Sequence, residues 1–417
     1  MKLRNIIIPA LVAAASLAST QTISEDAKAN VLAAVGKHVK ERAYVSGVDF
    51  TKWDSFAFKY DKDFHKATTQ EAFAQVVNRA LDEFGFSHIQ MLTPRAAQTR
   101  TTGKSVGIGV LIQPVTNGIR IVKVLDGGPA QKAGLKVNDV IVKADGKPVT
   151  SPEEVRGPKD TKVVITILRD GKETNYTITR GIFSLLVKDE LKWVDDKTVM
   201  LTINSFATGY SQSAIDGFFD QASKAQRMII DLRSNGGGSV MSLGHLAGKV
   251  FNRDVTLGKF ITRSHADEFK KKFPDRVAEP IAVSKEFGWP VQSFSRENGK
   301  TFDGEIVVLI SPASASASEI FAASIADNHR GKVVGVKSAG AVLASSFIKL
   351  PEGFSLQIPL MEYVSPAGRR LEGSGVAPDI TLDPAKLDDD QAWLEAAKLA
   401  FQSTRKESGI GTDQLNR

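Results

Sequence analysis

The run Ser311-Pro312-Ala313-Ser314-Ala315-Ser316-Ala317-Ser318-Glu319-Ile320 lies between two contrasting stretches. Before it, Glu305-Ile306-Val307-Val308-Leu309-Ile310 reads as a buried strand; after it, Ser318 to Asp327 reads as a helix. A serine on such a turn has its hydroxyl at a helix N-terminus, where free N–H groups and the macrodipole favour developing negative charge. Small neighbours let a substrate backbone approach. The logic is that of a nucleophile elbow, although the G-x-S-x-G pattern is absent. By themselves these serines serve equally well as a cap and a tight loop. A second segment, Asp231-Leu232-Arg233-Ser234-Asn235-Gly236-Gly237-Gly238, also follows a strand. Consecutive glycines there expose backbone donors such as an oxyanion hole requires, or form a flexible loop or a phosphate cradle. No Lys-Ser/Thr follows them, which argues against a P-loop. Cysteine is absent. That excludes a disulfide, a thiol nucleophile, a thiolate zinc site and a lipidated cysteine. No metal or other cofactor is expected.

The elements that must hold these segments follow from the texture of the chain. Its 417 residues suggest two or three domains. With 42% hydrophobic and 24% charged residues, neither disorder nor a membrane-embedded body fits. The net charge of +7 is spread out, without the dense Lys/Arg block of a nucleic-acid binder. Lys2 and Arg4 precede an apolar run from Ile6 to a small-x-small end at Ser16-Leu17-Ala18. This pattern predicts a signal peptide over 1–18 and a secreted or periplasmic protein with no stable membrane insertion after cleavage, an uncleaved anchor being the alternative. Helical spacing then dominates from Ser24, with one helix from Thr69 to about Phe84, and predicts a small helical domain over 24–100. Short β-branched runs with Asn117-Gly118, Asp145-Gly146 and Asp170-Gly171 turns predict a β-domain over 101–182. Alternating strands and helices follow, predicting an α/β core over 183–405 closed by a helix from Leu387 to Gln402. The charged, aperiodic stretch near 252–300 reads as a surface insertion.

Within the β-rich stretch, Ser105-Val106-Gly107-Ile108-Gly109-Val110 is followed by Gly127-Gly128-Pro129-Ala130-Gln131-Lys132-Ala133-Gly134-Leu135 and Asn138-Asp139-Val140-Ile141. This resembles the PDZ family over about 80 residues. The resemblance implies that Gly107, Ile108 and Gly109 form a loop whose N–H groups meet a peptide's C-terminal carboxylate, while the peptide adds a strand to the sheet edge. The partners so implied are polypeptides with accessible C-termini.

The serine and glycine segments together resemble the C-terminal processing peptidase and tricorn-core family of serine peptidases. The likeness runs from the helical segment to about Asp383, with the PDZ domain inserted. It implies an α/β fold with a ClpP/crotonase-like peptidase core. It also implies that Ser316 is the nucleophile and that the N–H groups of Ala317 and of a glycine near Gly237 form the oxyanion hole. One departure stands out. Lysine-type members place a lysine general base after the next strand, and Ala341 takes that place here, with Lys337 four positions early and Lys349 eight late. Tricorn-like members use a histidine from a Ser-His pair and a downstream glutamate instead. Gly85-Phe86-Ser87-His88-Ile89-Gln90 and Arg370-Leu371-Glu372-Gly373 match those elements. By that resemblance His88 is the base, Glu372 orients it and Ser87 assists. The reading is a secreted serine endopeptidase of the Ser-His-Glu type that takes polypeptide tails. Its rivals are a catalytically silent PDZ-containing peptide-binding scaffold, a Ser/Lys peptidase using Lys337 and a crotonase-like acyl transferase, the last weakened by a PDZ segment that implies peptide cargo. A homo-oligomer is left open.

Overall fold

The computed structural model of the chain describes residues 21–294 and 301–407. The expected signal segment, 1–18, lies outside them. The chain divides into two compact units. Among the described residues, Lys104–Leu185 makes up most of the smaller, which also takes in Thr69–Glu71 and residues 21–23; Ser24–Thr68, Ala72–Gly103 and the described residues from Leu186 onward form the larger.

The larger unit opens with helix Glu25–Arg42, capped by the Ser24 side chain, and includes most of helix Gln70–Asp82. Strand β1 (Gln90–Leu92) follows. In the smaller unit, β2 (Lys104–Gly107) pairs with a strand at the unit's far end. The sheet proper comprises β3 (Val110–Val115), β4 (Gly118–Val124), β5 (Val140–Ala144), β6 (Lys147–Pro148), β7 (Lys162–Arg169) and β8 (Lys172–Thr179). Its antiparallel order is β3-β4-β5-β7-β8, with β6 on β5; β9 (Gly181–Ser184) is the partner of β2. Period-2 alternation sends Ile119, Ile121, Val163, Ile165 and Ile167 into one core. Asp145-Gly146 and Asp170-Gly171 make turns with positive φ at both residues, as the right-handed twist of a hairpin favours.

The rest of the larger unit is layered. β10 (Glu190–Asp195), β11 (Thr198–Thr202), β12 (Arg227–Asp231), a later pair and a short last strand make one sheet. A second, antiparallel sheet joins β1 to β13 (Thr256–Thr262), β14 (Trp289–Gln292) and two strands near residue 350. The remaining strands are β15 (Glu305–Ile310), β16 (Gly331–Gly335), β17 (Ala344–Lys349), β18 (Ser355–Val364) and β19 (Ile380–Thr381). The first sheet has the order β10-β11-β12-β15-β16-β19, parallel from β11 onward, and the second runs β1-β18-β13-β14 with β17 on β18. The central parallel strands carry continuous apolar runs, over residues 228–230, 306–310 and 333–334, because helices cover both faces. Met228, Ile230, Ile306, Val308 and Ile310 face one cluster with Phe219, Leu243 and Phe321. Ile229, Val307, Leu309 and Val334 face the other, against Trp393, Ala397 and Phe401 of the closing helix Asp390–Glu407.

Helix Ala317–Asp327 belongs to the first cluster, which also contains Leu257, Phe260 and Tyr363 of the second sheet. Held between two sheets, it is buried on every side from Ala317 to Ile325. Its composition, almost wholly small and apolar, is what such a position requires. Where the sequence suggested a surface insertion, β13 pairs with β18 and helix Arg263–Lys272 buries Ala266 and Phe269. Two buried residues on a helix this rich in lysine are too few to set a visible period.

Candidate active site

Ser316 is the residue immediately before helix Ala317–Asp327, reached from the C-terminal end of the buried strand β15. Its backbone sits at φ 55°, ψ −117°, a combination that costs a side-chain-bearing residue of order 1–3 kcal/mol and persists only where the surroundings enforce it. The surroundings are legible. Ser316 N–H faces two acceptors, Ala341 O at 2.9 Å and Glu319 Oε2 at 3.0 Å. Gly237 packs onto the same turn, since a Cβ there would lie 2.7 Å from both Ser316 Cβ and Ala315 O. With φ +94°, Gly237 also occupies backbone space that only glycine enters freely.

Glu319 is the hub of this region. Its side chain is fully buried, and among the described residues no cation pairs with it. Oε1 accepts from Ser338 Oγ at 2.6 Å and Gly340 N–H at 2.8 Å; Oε2 accepts from Ser316 N–H and from Ala341 N–H at 2.9 Å. Burial pushes the carboxyl above its ordinary pKa, and the donated hydrogen bonds oppose that shift. Sequence reasoning missed this residue. The Ser-x-x-Glu spacing of a capping box, Ser316 to Glu319, was the signal available.

The next residue of the same strip, Val342, donates its N–H to Glu372 Oε2 at 2.8 Å. Glu372 is buried, and its other bonds lead to the helical segment. Ser87 N–H donates to Oε1 at 2.8 Å and Ser87 Oγ to Oε2 at 3.0 Å. Ser87 Oγ lies 2.6 Å from His88 Nδ1. With its own proton given to Glu372, this hydroxyl accepts from Nδ1–H and leaves Nε2 as the basic nitrogen. Burial lowers the His88 pKa, with Glu372 pulling the other way, so the neutral ring is favoured. His88 itself has φ 60° and stands two residues before β1, whose pairing of Gln90 with Gln357 on β18 anchors the turn. Ser316 and the His88 system are thus fastened to neighbouring residues, 341 and 342. No hydrogen bond joins His88 to Ser316 among the described residues.

The glycine loop is shaped by Asn235, whose side chain is completely buried. Its Nδ2 donates to Ile203 O at 2.9 Å, and its Oδ1 accepts the N–H of Gly237 at 2.9 Å. Of the two expected oxyanion donors, Ala317 N–H carries no partner among the described residues, whereas that of Gly237 is engaged by Asn235. Lys337 and Lys349 are exposed and hydrogen-bond nothing at the Ser316 turn. Asp327 is bound up with the 365–369 turn, accepting from Ser365 Oγ at 2.7 Å and Ala367 N–H at 3.0 Å. In the smaller unit, Gly107 and Gly109 both have positive φ and flank the buried Ile108. The Ile108 carbonyl accepts from Ala130 N–H at 2.7 Å and that of Gly109 from Leu125 N–H at 3.0 Å.

A layered α/β unit with a strained serine at a strand–turn–helix junction is an arrangement that serine hydrolases use. The comparisons narrow the class. The description of peptidase family S41 matches residues 197–382, and that of the PDZ domain matches residues 106–179. The S41 match covers a little under half of the chain, and the PDZ match lies ahead of it. A protein of Staphylococcus aureus (strain N315) described as "Probable CtpA-like serine protease" is 26% identical over 337 residues, 78% of this chain and 63% of the relative. A namesake in Staphylococcus saprophyticus is also 26% identical, over 76% of this chain and 62% of its own length. The chain thus spans a little under two thirds of the curated relatives it matches. Among solved structures, mature CPAF complexed with lactacystin superposes with a TM-score of 0.56 at 13% identity, covering 92% of this chain and 99% of that one. The photosystem II D1 C-terminal processing protease gives 0.50 at 19% identity, covering 90% and 97%. At these identities the likeness is one of fold.

Proposed function

We propose that this chain is a serine endopeptidase of the Ser-His-Glu type acting on polypeptides. One observation carries the reading. The strained Ser316 turn and the His88–Ser87–Glu372 chain are fastened to adjacent residues of one strip, while the exposed Lys337 and Lys349 are not. In this mechanism His88 Nε2 takes the Ser316 hydroxyl proton as Oγ attacks the scissile carbonyl, and the imidazolium returns it to the leaving amine. Glu372, acting through the Ser87 hydroxyl, holds the ring in one tautomer and balances its positive charge. The oxyanion is met by Ala317 N–H and by a second donor from the glycine loop. If that donor is Gly237 N–H, Asn235 Oδ1 has to share it. Water then hydrolyses the acyl-enzyme by the same proton path.

Under this reading the PDZ domain captures the C-termini of substrates, which export would bring to the chain outside the cytoplasm. The basic–apolar segment from Lys2 to Ala18 supports export. Among the described residues no helix is long and apolar enough to cross a membrane. The test is a fluorophosphonate probe with peptide mapping, run beside casein hydrolysis. Labelling at Ser316, with both signals lost in Ser316→Ala, is the expected result. Hydrolysis that survives Ser316→Ala refutes the assignment, and a folded chain that neither labels nor cleaves is the silent scaffold.

A further inference from the structure

Among the described residues the order of the PDZ sheet ends on two edge strands, β3 and β8, and the glycine loop leads into β3, which pairs only with β4. Val115 and Gly118 flank the two-residue turn Thr116-Asn117 and face each other in register. Such a flanking pair exchanges its hydrogen bonds across the hairpin. The alternation of antiparallel ladders then makes Pro114 opposite Ile119 a pair whose main-chain groups point away from β4. Ile112 has the same orientation. The register shift between Leu111 and Ile112 places its extra residue, Val122, on β4, so Val110 keeps the same orientation too.

The start of the edge can be read independently. The carbonyls of Ile108 and Gly109 are both engaged inward, by Ala130 and Leu125 N–H. Because each peptide is planar and trans, the N–H groups of Gly109 and Val110 point the opposite way. They form a small anion-seeking nest at the head of the edge. The outward donors along β3 are therefore Gly109 and Val110, then Ile112, and then none, because Pro114 has no N–H. Its ring carbons occupy the place a partner carbonyl would take. Pro114 is exposed, so nothing else covers that position.

We infer that this domain reads only a short C-terminal tail, whose main-chain pairing stops where Pro114 interrupts the edge. The carboxylate sits on Gly109 and Val110 N–H, the last residue pairs with Val110 and the third from the end with Ile112. The fifth from the end meets Pro114 and goes unpaired. The inference rests on the carboxylate-capture reading and adds its reach. Substrates would then need only about three exposed terminal residues, so a frayed tail suffices.

The experiment is a binding titration of the full chain carrying Ser316→Ala, to prevent turnover, with labelled peptides of three to seven residues sharing one C-terminal sequence. Each is offered as the free acid and as the amide. Free acids should bind with affinity level beyond the third residue, and amides should bind far more weakly. Adding Pro114→Ala restores one edge donor, so five-residue and longer acids should then bind about 2- to 10-fold tighter than the three-residue acid, one hydrogen bond's worth. Affinity rising past the third residue without Pro114→Ala would overturn the reach while leaving carboxylate capture standing. A plateau that Pro114→Ala leaves unchanged would show that Pro114 is not its cause. Equal binding of acids and amides, or none by either, would overturn the capture reading itself.

Discussion

Replacing Ser87 by alanine removes one link of the proposed catalytic chain and little else. The hydroxyl lies 2.6 Å from His88 Nδ1 and 3.0 Å from Glu372 Oε2. Alanine keeps the Ser87 N–H bond to Glu372 Oε1, so the turn retains its anchor. What disappears is the acceptor for Nδ1–H, and with it the choice of tautomer. A hydrogen bond within a charged network is worth about 1.5–3 kcal/mol. At about 1.36 kcal/mol per decade of rate, Ser87→Ala should lower kcat about 10- to 150-fold. His88→Ala should lose more, about 100- to 10,000-fold, because the base itself is gone. KM should hardly move, since within the Ser87–His88–Glu372 relay only the imidazole is proposed to reach the reacting atoms. The assay is steady-state cleavage of a quenched fluorescent peptide from pH 5 to 9. Burial depresses the His88 pKa, so wild-type kcat/KM should hold as the pH falls to about 6.5 and decline only below it. The same depression makes the unfolded chain the better proton binder in that window, so stability too should fall as pH drops below about 6.5. Full kcat in Ser87→Ala between pH 7 and 8 would refute the relay.

Three further outcomes follow. Glu319→Gln should destabilise the larger unit by about 1–3 kcal/mol or more and abolish fluorophosphonate labelling, as thermal melts and labelling rates would show. Both carboxylate oxygens accept backbone N–H groups, so the amide –NH2 must confront a donor whichever way it turns. Gly237→Ala should eliminate activity even in chains that fold, because its Cβ would fall 2.7 Å from Ser316 Cβ; peptide cleavage near the wild-type rate would contradict that geometry. Lys337→Ala should retain cleavage within about twofold, as expected for an exposed side chain away from the chemistry; a dead, folded variant would restore the lysine mechanism.

Local patterns were enough to expose the fold class. The continuous apolar runs of β15 and β12, the Asp-Gly turns in the β-rich stretch and the helix of mostly small and apolar residues after Ser316 are each dictated by neighbours a few residues away. The glycine and serine loops were legible for the same reason, since short-range sterics demand those residue types. Where local signals were weak, the reading slipped. The stretch near 252–300 looked like an insertion, yet it supplies β13 and β14, held by pairing and a few buried side chains. The site depends still more on distance. Ser87 and Glu372 are 285 residues apart, and no local preference brings them together. The pairing of β1 with β18 and the strip at 341–342 do so. Glu319 drew no reading from the sequence, and only the packed loops made it a buried carboxyl with donors from two segments. The glycine loop at Gly237 was legible as a source of backbone donors, but the acceptor holding the Gly237 N–H was not. Sequence records which backbone conformations and side-chain chemistries each short segment permits. Which donor meets which acceptor was decided by the layers, because a hydrogen bond depends on ångström-scale placement that only tertiary packing sets.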